Sequence, residues 1–524
     1  EGALTEARFP RIDVMNVRTF DFLVADPETG YTIRTFDETS HVTATETVER
    51  RTEPTVDDAL AYTQTIRETG DGHGHEWTLT VEYAVDTDGD AVLADVDFEG
   101  GREYDVYALV DTTITNVGTN DRGDRVGDGD GYHLLARNDD AAERGAGKLV
   151  DDGGDSFEVA LALATDDRFE WASVLPAGGE EADALFGEGE RGEGAAEAVG
   201  NVVLAGLVGS GTELSNTVAL GFAENADTAA ALGEARGAIS RGFDDVADAY
   251  VGSWRDWLAG RDFPGSVTGD AELATQYRFA LMTLAAVEDK RHDGAGIASP
   301  SVPWGETEYA AEDRGYGYNF VWSRDLYQVF TALIEVGEVE RGANALAYLY
   351  NTQQDADGFL PQNTYIDGRT RWGGEQMDNI AFPSVMAWQL YEHGTTPADA
   401  DYTYDQVRRS LGYIAENGPE TAQERWEEEA GFSPSSIAAE IAGLVCGAAL
   451  ALAEADRIES GDGGATAEES PDALRADALA WLGLADDWTQ RVEEWCATAT
   501  GTERHAETPY YLRVTADGDP ESGR

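Results

Sequence analysis

Lysine is almost missing from this chain. Its 524 residues contain two, Lys148 and Lys290, and the other bases among the 36 are all arginine. Against them stand 102 Asp and Glu, for a formal net charge of −66. Nucleic-acid backbones and anionic membrane surfaces are excluded as partners, because both require a basic patch. Two cysteines, Cys446 and Cys496, form no disulfide framework or thiolate metal site, and are expected as free thiols in apolar helices. Only seven histidines occur, with no HExxH or G-x-S-x-G motif. Metal-assisted and Ser-His-Asp chemistry therefore find little support, and neither a metal nor a cofactor is expected. No apolar run is expected to reach the roughly 20 residues of a membrane span. No signal peptide is visible, but the chain opens at Glu1 without Met, so cytoplasmic and secreted locations both stay open.

Apolar residues make up 42% and aromatics 10%, which excludes a disordered acidic chain and demands a sizeable core. A surface of Asp and Glu with hardly any Lys suits concentrated salt, where a Debye length of roughly 3 Å screens self-repulsion. A halophilic source is the expectation. That is an adaptation to the environment and says nothing about catalysis.

The hydrophobic period divides the chain in two. Up to about residue 225 it is strand-like, with runs at Arg18–Asp26, Tyr62–Thr69, Glu76–Val85, Ala91–Phe98, Tyr104–Ile114, Phe157–Ala164, Val202–Val208 and Thr217–Phe222 separated by Gly/Asp-rich turns. With no helix expected between them, these imply a large antiparallel β-sandwich over residues 1–225. A helical linker follows at 226–265. From 266 to 524 the period is 3.6, with helices expected near 272–290, 324–336, 338–353, 379–394, 404–417, 434–456 and 471–497. Ser433 before Pro434 marks one start, an N-cap residue ahead of proline at the first helical position.

Two apparent motifs are decoys. Gly187-Glu-Gly189-Glu-Arg-Gly192 has the dinucleotide-binding spacing, but it carries Glu188 and Glu190 where a pyrophosphate would sit. Asp86-Thr-Asp88-Gly-Asp90 resembles the opening of a calcium loop, yet Ala91 replaces the required glycine, and a hairpin turn explains it.

Three aromatic segments precede the second, fourth and sixth helices of the second half. In an up-down array those helices run the same way, so their N-termini share one face. The first is Tyr316-Gly-Tyr318-Asn-Phe-Val-Trp322-Ser-Arg324-Asp325, where Asp can accept and Arg donate hydrogen bonds to sugar hydroxyls. The second comprises Phe359-Leu-Pro-Gln-Asn363 and Trp372-Gly-Gly-Glu-Gln376-Met-Asp378, a tryptophan face beside polar partners. The third is Glu424-Arg-Trp426-Glu427-Glu428-Glu429. Like-charged neighbours and an apolar wall raise a carboxyl pKa, as a general acid working near neutral pH requires. Taken singly, each is equally readable as a capped helix start, a loop tryptophan or a solvated acidic run. Taken together they point to a polyhydroxylated ligand and carboxylate catalysis, that is, glycoside hydrolysis.

These segments, with Ala295-Gly-Ile-Ala-Ser-Pro-Ser-Val-Pro-Trp304-Gly before them, resemble the prokaryotic glucoamylase–glucodextranase branch of glycoside hydrolase family 15. The opening Gly2-Ala-Leu-Thr-Glu and the closing Pro509-Tyr-Tyr-Leu-Arg-Val do so too. The resemblance implies an N-terminal β-sandwich followed by an (α/α)6 barrel. It also implies exo-acting, inverting release of glucose from α-glucans or oligosaccharides, α-1,4 first, with α-1,6 and trehalase-like activities as alternatives; a monomer is expected. By the same resemblance Glu427 is the general acid. Arg324 and Asp325 hold the terminal glucose, Trp372 and Trp426 are aromatic walls, and Glu428 is a further sugar contact. Trp322, Tyr318 and Asp378 fall at matching positions, while Asn379 stands where that branch is expected to carry an acid. An inverting enzyme also needs a basic carboxylate about 6.5–9.5 Å from the acid, which the family places late in its barrel. Arg524 comes after about seven of the twelve helices, so the chain is expected to be a truncated piece without that base and without an assigned substitute. A fragment that only binds glycans is the alternative of another class.

The charge supplies the first test. Melting measured from about 0.1 to 2 M salt should show Tm rising as repulsion is screened; a flat or falling Tm would contradict the halophilic reading.

Overall fold

A computed structural model describes residues 2–36, 48–70, 72, 74–116, 118–127, 130–138, 157–299, 318–397, 399–426, 429–461, 470–501 and 504–522. They fall into two compact units, one extending to Thr283 and the other starting at Leu284.

The first unit holds the strands β1 (Leu4–Arg8), β2 (Met15–Asp26), β3 (Tyr31–Arg34), β4 (Val48–Pro54), β5 (Tyr62–Glu68), β6 (Trp77–Val85), β7 (Ala91–Thr112), β8 (Asp121–Gly127), β9 (Tyr132–Asn138), β10 (Val159–Thr165), β11 (Ala172–Pro176), β12 (Glu197–Gly200) and β13 (Val202–Glu224). All pairings are antiparallel, and the main order is β12-β8-β9-β10-β13-β7-β6-β5-β4. Two strands depart from the expected division. β7 runs unbroken through Ala91–Phe98 and Tyr104–Ile114 as far as Thr112, and β13 joins Val202–Val208 to Thr217–Phe222. The glycines taken for turns lie at bulges, where the β13–β7 register shifts between Leu207 and Gly209 and again between Gly211 and Glu213. A bulge bends and twists a strand without ending it. The first half of β13 thus pairs with β11 and its second half with β10, so the two long strands serve two layers.

A helix also interrupts the strands, against expectation: α1 (Glu180–Glu188) lays Ala182 and Leu185 on a core of Leu23, Tyr107, Leu109 and Val203. Gly189 ends α1 in the left-handed conformation. The glycine-rich decoy therefore closes a helix, whereas a phosphate loop would open one. The Asp86–Asp90 decoy is the β6–β7 turn, with Asp86 accepting from the Asp88 N–H at 3.1 Å.

The linker residues form α2 (Thr228–Arg241) and α3 (Phe243–Ala259). Ala235 and Ala238 of α2 pack on Leu93, Ala164 and Ala219, so the first unit extends beyond the expected 225–265 division. The approach is so close that a Cβ on Gly221 of β13 would lie 2.2 Å from the Ala231 carbonyl oxygen. A four-residue α4 (Gly265–Thr268) precedes α5 (Ala271–Ala286).

The second unit continues with α6 (Ser323–Glu335), α7 (Val339–Tyr348, prolonged by a wide turn at Leu349–Gln353), α8 (Met377–Glu392), α9 (Tyr404–Asn417), α10 (Pro434–Ser460) and α11 (Pro471–Cys496). These match the expected starts closely. Ser433 is the N-cap of α10 with Pro434 next, but its hydroxyl meets Ser435 at 3.1 Å and makes no cap bond. Of the two free thiols Cys496 is buried and Cys446 half-buried. α10, at 27 residues, is long and apolar enough by length and composition to cross a membrane, although Glu440 and Glu454 keep its unbroken apolar run short of a span. The helix is 56% buried over that window, as a core helix would be.

Gly221→Ala should destabilise the first unit by about 1–3 kcal/mol through overpacking. Chemical denaturation would show this as an earlier transition, and an unshifted midpoint would disprove the tight α2–β13 contact.

Candidate active site

α6 and α8 both begin without a capping side chain of their own, with Trp322 and Gln376 at the N-cap positions. The orphan N–H groups of a helix start need partners, and here they find them on neighbouring segments. Asn379 of α8 accepts the Arg324 backbone N–H on Oδ1 at 3.0 Å and the Ser323 hydroxyl at 3.2 Å. Its Nδ2 donates to the Gln362 carbonyl and to Gln376 Oε1, both at 3.0 Å. Thr421 Oγ1 in turn accepts the Met377 N–H at 3.3 Å, and the Gln423 N–H reaches the Glu375 carbonyl at 3.0 Å.

A proline sharpens the arrangement. Pro383 lies inside α8 and has no N–H for the carbonyl four residues back, which belongs to Asn379. That carbonyl accepts the Ser323 hydroxyl at 2.5 Å instead. With its own N–H donating to the Gln376 carbonyl at 3.1 Å, Asn379 bonds through four groups, and its side chain supplies both an acceptor and a donor. A carboxylate, the residue type expected here from resemblance, could not donate to the Gln362 carbonyl.

The stitching fixes Arg324. Its Nη1 donates to Gln376 Oε1 at 2.9 Å and to Asp378 Oδ2 at 3.1 Å, while Nε lies 3.8 Å from Asp325 Oδ2. Its Nη2 has no hydrogen bond among the described residues. Asp378 is buried and Asp325 half-buried. Burial pushes the Asp325 carboxyl above the usual range; Arg324 and Arg425 pull it down and Asp378 pushes it up.

An aromatic wall adjoins this cluster. The Val321 and Thr364 backbones bond reciprocally, at 2.9 and 3.1 Å, and the hairpin of β14 (Asn363–Thr364) and β15 (Thr370–Trp372) carries Trp372 back to the first segment. Trp372 lies 6.0 Å from Trp322 and 5.9 Å from Phe320, with the Arg371 guanidinium 5.3 Å over its ring. Tyr318 stacks on Trp322 at 5.6 Å. Tyr318 is 46% exposed but Trp322 only 3%, so Trp322 backs the wall rather than presenting an open face. Its Nε1 is buried with no hydrogen-bond partner among the described residues.

The structure therefore brings together Tyr318, Trp322, Arg324, Asp325, Trp372 and Asp378. Trp426 is 62% exposed, with the Arg425 guanidinium 5.4 Å above its ring, and Arg425 is the link to Asp325. Glu427 and Glu428 lie outside the described residues. Residue patterns alone did not single out Ser323, Gln362, Thr421 or Arg425. The one available signal was a proline inside a helical run four residues after an asparagine. The convergence of segments itself is chemically apt: donors, acceptors and an apolar face meet on one side, as hydroxylated rings require.

Residues 1–259 match the glucodextranase domain N profile, and residues 275–517 match that of glycosyl hydrolases family 15. A glucoamylase of Clostridium sp. (strain G0005) is 27% identical over 531 residues, covering 99% of this chain and 65% of that protein. An uncharacterized glycosyl hydrolase of Methanocaldococcus jannaschii is 28% identical over 36% of this chain and 29% of its own length. The crystal structure of a bacterial glucoamylase complexed with acarbose superposes with a TM-score of 0.78 at 24% identity, over 99% of this chain and 68% of that one. Its fold is therefore shared: an antiparallel sandwich followed by helices of an (α/α)6 barrel. The chain spans just under two thirds of the Clostridium relative.

Asn379→Asp should cost about 1–3 kcal/mol, because a buried carboxylate replaces a donor and leaves the Gln362 carbonyl unpaired. Thermal melting checks this, and a variant as stable as the parent would remove Asn379 from its bridging role.

Proposed function

We propose that this chain, which belongs to the glucoamylase–glucodextranase branch of glycosyl hydrolases family 15, holds the sugar-binding and acid-donating parts of an exo-acting α-glucan hydrolase. The observation that carries the reading is Arg324. It is buried, its Nη1 is committed to Gln376 and Asp378, its Nε lies beside Asp325, and it follows two residues after Trp322, on which Tyr318 stacks. A guanidinium held in this way donates to ring hydroxyls while Asp325 accepts from them. Tyr318 and Trp372, with Trp426, would flank the ring. Glu427 would protonate the glycosidic oxygen, and Glu428 would add a sugar contact.

Departure of the protonated leaving group gives an oxocarbenium-like centre, which water attacks from the opposite face, so an α-linked glucan yields β-glucose. The water needs a carboxylate as base, and none in this chain is assigned that role. The α-1,4 linkage is preferred, with α-1,6 and trehalose as the alternatives. A second reading follows from the unassigned base: a chain that binds α-glucan ends without cleaving them.

Incubating the purified chain with maltotriose, isomaltotriose and trehalose, with NMR of the first product, tests both. Release of β-glucose, fastest from maltotriose and reduced at least about 1,000-fold by Glu427→Gln, would support the hydrolase reading. α-Glucose as first product would exclude inversion. Acarbose binding without hydrolysis would favour the binding reading.

A further inference from the structure

Behind the sugar-holding cluster lies an acid that the proposed chemistry does not use. Glu440, in the first third of α10, is fully buried, and neither of its carboxyl oxygens has a hydrogen-bond partner among the described residues. A Cβ placed on Gly418, the C-cap of α9, would fall 2.1 Å from Oε2 and 2.6 Å from the Trp488 ring of α11. The carboxyl thus lies against the end of α9, and the edge of the Trp488 indole approaches the same glycine.

Its electrostatic surroundings carry a single sign. The charged groups acting on it are Asp378 of α8 and Glu375 just before α8, and both are acids. Glu375 is tied to the Tyr413 hydroxyl of α9 at 2.6 Å and to the Ala422 N–H at 3.3 Å. From α9 and α11 the carboxyl meets Gly418 and Trp488, which carry no charge. The end of α9 adds the negative pole of its dipole. The guanidinium of Arg324 is engaged by Asp378. Burial first, then Asp378 and Glu375, push this carboxyl well above its ordinary value. An ionised, unpaired carboxylate in such a place costs several kcal/mol.

We infer that Glu440 is a positioning residue that keeps its proton at neutral pH, and that its ionisation forces apart the 374–378 and 418–424 segments supporting the candidate site. Below the ordinary carboxyl pKa, folded and unfolded chains both carry this proton. Above it only the folded chain does, so unfolding releases a proton and native stability falls as pH rises towards the folded value. The consequence for sugar affinity rests on the proposed function; the consequence for stability does not.

Glu440→Gln has nearly the same shape and never ionises. Between about pH 6 and pH 9 the wild-type Tm should fall by about 2–4 °C more than that of the variant. Parallel curves would overturn the inference. Glu440→Leu, equally chargeless, stands in if the amide does not fold. Should neither fold, wild-type amide exchange corrected for intrinsic rates decides. Residues 374–378 and 418–424 should lose at least about tenfold more protection than β7 and β13 over that range, and equal losses would refute it. Acarbose affinity should weaken about threefold or more with rising pH in the wild type and stay level in the variant. No acarbose binding at any pH would count against the functional reading alone, leaving the Tm comparison to judge Glu440.

Discussion

Pro383 has no N–H to offer, so within α8 the carbonyl of Asn379 stays free for the Ser323 hydroxyl of α6. From that one vacancy the site can be rebuilt. The Asn379 side chain caps α6 through the Arg324 N–H, holds the Gln362 loop by its carbonyl, and orients Gln376. Gln376 then shares Arg324 with Asp378. Two helix starts that lack caps of their own complete each other, and the guanidinium is placed as a by-product. Each bond is worth only about 0.5–1.5 kcal/mol net, but leaving any of these buried groups unpaired costs more, so the network is specified by the penalty of breaking it.

The acidic excess means different things at different depths. On the surface, Asp and Glu are solvated and screened, and an isolated ion pair contributes little. Inside the second unit the same residue type is rationed. Asp378 has Arg324, Asp325 feels both Arg324 and Arg425, and among the described residues Glu440 has no cation. A carboxyl without a counter-charge must find another way to be buried, and the proton is the cheapest one available.

How legible the molecule was depended on the range of the cause. The helix starts at α6, α8 and α10 and the acceptance of Asp86–Asp90 as a turn rest on neighbours within a few residues, and they read correctly. The continuity of β7 and β13 did not, because a glycine at a bulge and a glycine at a turn look alike until the partner strand is known. α1 was missed because Ala182 and Leu185, spaced like any short apolar pair, acquire meaning only from Tyr107 and Leu109. Trp322 was placed among the sugar-binding residues by position alone, and packing by Tyr318 and Phe320 made it a backing ring.

By itself the sequence determined the two-part β-then-α organisation, the residue types available for sugar chemistry, and their placement before alternate helices, since periodicity and capping act locally. Only the tertiary structure decided which of those residues share an atom. It tied Arg324 to Asp378 and Gln376 across 54 and 52 residues of chain, and it set Glu440 among acids with no cation among the described residues to offset it. The physical reason is that buried polar groups must be satisfied by whatever lies nearest in space. Which group that is depends on helix packing, which no local pattern encodes.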